Sequence, residues 1–87
     1  MIHLRFMGHI KTSMGSEEME LAEDGITVGG LFALLLSRTP SSGAHGFSSH
    51  NTLLVVNDEE VFSASTQAGR LIGDGDSVLL VPFSHGG

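Results

Sequence analysis

Ile2, Leu4 and Phe6 alternate with His3 and Arg5, the period-two pattern of a half-buried strand. Gly8 ends that strand. Residues 9–16 are small and polar apart from Ile10 and Met14, four apart, and predict a short turn of helix or an ordered loop. Glu18 to Ala22 reads as a second strand, with Met19 and Leu21 pointing one way, and Asp24-Gly25 marks a turn. Thr27 then stands as N-cap to a helix from about Val28 to Ser37. Its apolar face is broad: Val28, Leu31 and Leu35, with Phe32, Leu34 and Leu36 beside them. Gly29 and Gly30 weaken the first turn by roughly 1 kcal/mol each against alanine. Pro40 stops the helix and pushes Thr39 out of the helical region.

Residues 40–51, PSSGAHGFSSHN, carry only Ala44 and Phe47 as apolar content and read as a mobile loop. Leu53 to Val56 is a short, fully apolar strand. Asn57-Asp58 begins a tight turn and Val61-Phe62 the return strand. Residues 63–73 form an irregular crossing anchored by Leu71 and Ile72. Asp74-Gly75-Asp76 is a turn, Ser77 to Val81 the last strand, and Pro82 follows. The order is strand, strand, helix, strand, strand, strand. One amphipathic helix can cover only one face of a four- or five-stranded mixed sheet, and its crossover is right-handed. The α+β fold that meets these conditions is the β-grasp, with the first and last strands parallel and adjacent at the centre. Residues 1–82 form that domain and 83–87 a flexible tail.

Composition narrows the chemistry. At 87 residues the chain is one domain with a modest core. It has no cysteine, which excludes disulfides, thiolate zinc sites, iron–sulfur clusters and a cysteine nucleophile. Its net charge of −6, with Arg5, Lys11, Arg38 and Arg70 the only cations, repels phosphate backbones, so no nucleic-acid partner is expected. That charge either suits a partner with a basic groove or simply keeps the protein soluble. Glu17, Glu18, Glu20, Glu23 and Asp24 are read the same two ways, as a solvated strand edge or as a match for a basic patch. No apolar run is long enough for a membrane helix, and the opening strand leaves no room for a secretion signal; a cytoplasmic monomer is expected. Five histidines raise the question of a metal site, but their spacing offers no helical pair and no completing carboxylates, so none is expected.

Met1-Ile2-His3-Leu4-Arg5-Phe6, Leu54-Val55-Val56-Asn57 and Gly75-Asp76-Ser77-Val78-Leu79-Leu80-Val81-Pro82 resemble the opening strand, the strand ending in Asn, and the Gly-Asp turn with final strand of one family. That family is the molybdopterin-synthase small subunit and thiamine sulfur-carrier proteins. The spacing from Gly75-Asp76 to the terminal Gly86-Gly87 matches it without an insertion, and the likeness covers nearly all of the chain except 40–51. In size and character the chain is similar to the archaeal small ubiquitin-like modifier proteins. It departs from the family at Phe83, where a second proline is common.

The resemblance implies that the working group is the Gly87 carboxylate. A carboxylate is a poor acyl donor, because its leaving group would be oxide. An E1-like activating enzyme first makes it an acyl-adenylate, consuming ATP; this chain holds no cofactor and is a substrate rather than an enzyme. Glycine at 86 and 87 lets the terminus pass a narrow channel, since no Cβ obstructs it. The adenylate can pass through a cysteine to lysines of target proteins as an isopeptide, making a protein modifier. Alternatively, sulfide gives a thiocarboxylate, making a sulfur carrier for molybdopterin or thiolated tRNA with a sulfur-transfer partner. Phe83 in place of proline tips the reading to the modifier; a purely non-covalent interaction domain is the third class. His85 is either read with Gly86 by the activating enzyme or a spacer. By likeness to ubiquitin, Val78 and Leu80 face the helix. Leu79, Val81 and Phe83 are then exposed, as a partner-docking surface or as a strand covered by the 40–51 loop or a second copy. Lys11, the only lysine, is either a plain surface residue or the acceptor for chains of the protein itself.

Overall fold

The alternation at the start of the chain becomes strand β1 (Ile2–Phe6), with Ile2, Leu4 and Phe6 buried on one side. Helix α1 (Gly8–Met14) follows, burying Ile10 and Met14 and closing on a left-handed Gly15. The chain continues through β2 (Glu18–Leu21), β3 (Gly25–Thr27) and α2 (Val28–Ser37). After a 3-10 turn (Ser49–Asn51) come β4 (Thr52–Val56), β5 (Glu60–Ser63), β6 (Leu71–Gly73) and β7 (Ser77–Pro82). This computed structural model describes residues 1–38 and 48–83.

Five strands form one sheet in the order β2-β1-β7-β4-β5. β1 and β7 run parallel at its centre, with His3 opposite Ser77 and Phe6 opposite Leu80. The other pairs are antiparallel. This is the β-grasp arrangement. β3 and β6 form a separate two-stranded ribbon, Ile26 opposite Ile72.

Helix α2 begins where the Thr27 hydroxyl accepts from the Gly30 N–H at 3.0 Å. The Val28 and Gly29 N–H groups donate to the carbonyls of Arg70 and Ala68. The first turn is thereby satisfied within the fold, by the cap and the 64–70 crossing. Val28, Leu31, Phe32 and Leu35 of α2 join Ile10 and Met14 of α1 and the inward residues of the sheet in one core. Among the described residues both helices bury their apolar sides on that single face, and none is long and apolar enough to cross a membrane.

Of the two readings of 9–16 the structure takes the helix, which spans Gly8–Met14 and is entered through Gly8 at φ +57°. Three other readings are corrected. Gly25–Thr27, read only as a turn and cap, is a strand. Within the 63–73 crossing Ile72 is fully buried but Leu71 is 66% exposed. In a two-stranded ribbon successive side chains alternate, so only one of the pair can anchor. Finally, Ser48–Asn51, read within a mobile loop, makes a reciprocal capping box in which Ser48 and Asn51 satisfy each other's backbone.

Candidate functional site

The site begins where the central strand leaves the sheet. Val78 and Leu80 of β7 point into the core and are buried, so Leu79 and Val81 take the opposite face. Pro82 pairs with Thr52 at the sheet's end. Thr52 is fully buried, and its hydroxyl donates to the Ser48 carbonyl at 2.7 Å. The Ser48 N–H donates to Asn51 Oδ1 at 3.1 Å, and the Asn51 carbonyl accepts from the Phe83 N–H at 2.9 Å. Phe83, assigned above to the tail, is therefore half-buried and still tied to the body. On the other side a Cβ on Gly8 would lie 2.8 Å from Pro82 Cγ. The entry to α1 and the exit of β7 fit together only because that side chain is missing. The expected tail residues His85, Gly86 and Gly87 lie outside the described residues.

The opposite end of β7 is fixed by the Gly-Asp turn. Asp76 Oδ2 accepts from the Gly73 N–H at 2.8 Å and Oδ1 from the Asn57 amide at 3.0 Å. Those two bonds, helped by Arg70, hold the Asp76 carboxyl below its ordinary value of 3.8 against a small opposing cost of burial. Asn57 Oδ1 accepts in turn from the Ser77 N–H at 2.9 Å. Gly75, at φ +90°, donates to the Met1 carbonyl, and the His3 N–H donates to the Asp76 carbonyl. The start of β1, the β4–β5 turn and the start of β7 are thus one hydrogen-bonded unit. It sets the register in which β7 delivers the chain to Phe83.

Between these ends lies the face of the sheet opposite the core. One row crosses all five strands: Glu18, Arg5, Leu79, Val55 and Val61. The next row brings Val81, Leu53 and Ser63 side by side. Leu79 and Val81 were expected to be exposed, with Phe83; all three are half-buried. β7 is central, and side chains on both neighbouring strands flank its own at about 5 Å. Val61, on the edge strand β5, has a neighbour on one side only and is 60% exposed. Sequence reasoning missed Leu53, Val55 and Val61 as members of this surface. An unbroken apolar run shows no alternation to mark its outward residues, and which strand lies beside which was not visible either.

Lys11 is exposed on α1, with its Nζ 3.6 Å from a Glu17 carboxylate oxygen. It borders a shallow groove on the open face together with Arg5, Met7, Glu17 and Leu79. Of the acidic stretch, Glu18 and Glu20 of β2 both contact His3, at 3.0 and 3.8 Å. Among the described residues no three His, Asp or Glu side chains converge as metal ligands.

The fold is shared with known proteins. A chain of the Amycolatopsis orientalis BexX/CysO complex superimposes with a TM-score of 0.67 at 20% identity, covering 100% of both chains. SAMP1 from Haloferax volcanii gives 0.61 at 18% identity, over 99% of this chain and 98% of that one. The small archaeal modifier protein 1 from Methanosarcina acetivorans gives 0.67 at 14% identity, over 99% of this chain and 95% of that one. No protein-family model and no curated protein matches the sequence. At these identities the likeness establishes the fold alone, β-grasp and ubiquitin-like.

Proposed function

We propose that this protein is a ubiquitin-like modifier whose Gly87 carboxylate is adenylated by an E1-like enzyme and joined to lysines of target proteins. The observation that carries the reading is the exit of β7. The central strand is locked at both ends and brings the chain to Phe83, four positions before Gly87. Four extended residues span at most about 14 Å, enough to enter a partner's cleft while the body stays outside. Two named modifier proteins share the whole fold, which supports the same reading. In it the chain supplies no base or nucleophile; ATP is spent by the activating enzyme. The open face bearing Leu79 and Val81, with Phe83 at its end, docks that enzyme.

The experiment is adenylation by the host's E1-like enzyme, read by ATP–pyrophosphate exchange and intact mass. Removing Gly86-Gly87 abolishes exchange. Undiminished exchange by the truncated chain would show that Gly86-Gly87 is not the group activated, and no exchange by either chain would leave a non-covalent interaction domain instead. Leu79→Asp and Val81→Asp, if folded, weaken exchange; normal adenylation of both would dismiss the docking face. A mass gain of one sulfur-for-oxygen exchange on protein from native cells would mark the sulfur carrier. A C-terminal remnant on lysines of other proteins marks the modifier. Trypsin is the wrong protease for that search, because the basic residue nearest the terminus is Arg70.

A further inference from the structure

The chain has only four cationic side chains, and three of them are occupied. Lys11 faces Glu17. Arg70 lies 2.7 Å from Glu60 and 5.3 Å from the centre of the Phe62 ring. Arg38 reaches the sulfur of Met19. Arg5 has no side-chain partner among the described residues. Its cross-strand neighbour Glu18 is the obvious candidate, but the Glu18 carboxylate is taken by His3 Nε2 at 3.0 Å. Among the described residues an exposed guanidinium is therefore left free in the middle of the open face, directly beside Leu79.

Two shallow grooves run on that face, one lined by His3, Val55, Asp58 and Ser77, the other by Met7, Lys11 and Glu17. Arg5 and Leu79 line both and form the ridge between them. We infer that Arg5 receives a carboxylate of the activating enzyme, set beside an aliphatic or aromatic side chain that packs on Leu79. This rests on the activation reading above and names the partner chemistry of the same face. A guanidinium presents a planar fork that matches a carboxylate with two parallel bonds, which a lysine cannot reproduce. The rest of the chain makes the contact selective. At a net charge of −6 the molecule repels acidic surfaces in general, so an acidic group gains most where it meets a cation whose charge no neighbouring carboxylate already answers, as at Arg5. The same net charge opposes a second copy as occupant, since two such chains repel each other.

The test is ATP–pyrophosphate exchange with the purified host activating enzyme, titrating wild type, Arg5→Lys, Arg5→Met and Arg5→Glu. The expected result is a KM about tenfold higher for Arg5→Met and higher again for Arg5→Glu, with kcat unchanged and Arg5→Lys in between. Added salt raises the wild-type KM and leaves that of Arg5→Met nearly flat. Arg5→Glu with the wild-type KM overturns the inference while leaving activation intact. A wild-type KM insensitive to salt also overturns it, and needs no variant to fold. Absence of exchange with wild type would remove the activation reading itself, and this inference with it.

Discussion

Asn57 and Asp76, nineteen residues apart, join the β4–β5 turn to the start of β7 through a side-chain bond of 3.0 Å. Each also accepts from a backbone N–H close to residue 76. Asn57 accepts from the Ser77 N–H, and Asp76 accepts from the Gly73 N–H. Asn57 and Asp58 both sit at positive φ, which asparagine and aspartate tolerate better than most residues. A reversal of the chain is thus built from the same residue that holds the next strand in register.

Removing either partner costs about 1–2 kcal/mol, as expected for one or two partly exposed hydrogen bonds. Asn57→Ala and Asp76→Ala together cost less than the sum of the two, because they share a bond. Chemical unfolding of the single and double variants measures that coupling directly, and full additivity would show the bond to be energetically idle.

Acid acts on the same group. The Asp76 carboxyl titrates lower in the folded chain than its ordinary 3.8, so the folded state favours the charged form. Its contribution to stability is complete above the unfolded value and is lost as pH falls through the folded one. Urea unfolding between pH 6 and pH 2 reads this as a slope below pH 4, shallower in Asp76→Asn than in wild type. An identical slope in the two would contradict the assignment.

Gly8 is held at φ +57° with Pro82 where a Cβ would stand. Gly8→Ala pays at least the left-handed backbone cost, about 1–2 kcal/mol, and displaces Pro82 in addition. The thermal midpoint falls, and the shift of amide resonances is concentrated at Thr52 and Phe83 rather than in α2.

Leu79 and Leu80 are adjacent in sequence and opposite in consequence. Leu80 is fully buried, and Leu80→Ala costs about 2–5 kcal/mol. Leu79 is half-buried on the open face, and Leu79→Ala costs roughly 1 kcal/mol or less. Denaturant midpoints of the two variants distinguish them. Equal losses would mean that the open face is covered in the free protein.

The parts of this fold that a reader of the sequence could find were those whose signal is local. Thr27 and the apolar run after it mark α2 from Val28 to Ser37, and the structure keeps both ends. The double-sided apolarity of Val78 to Val81 singled out β7 as the strand with a second face. The β3–β6 ribbon was invisible because three residues are too few to show a period, and its partner lies more than forty positions away. Ser48–Asn51 looked like loop because polar side chains that satisfy their own backbone read as solvent-facing. The isolation of Arg5 could not be seen at all. It depends on which neighbour the Glu18 carboxylate chooses, and in the folded chain His3 takes it.

The parallel pairing of β1 with β7 has a mechanical consequence. Tension drawn between the start of β1 and the far end of β7 pulls along both strands in opposite senses. From His3–Ser77 to Phe6–Leu80, the backbone bonds of the pair are loaded together instead of one after another. β7 is gripped on its other flank by β4 as well. Whatever hauls on the chain beyond Phe83 strains the sheet at its middle, where there is no loose edge from which to begin peeling. The rope is moored to the keel.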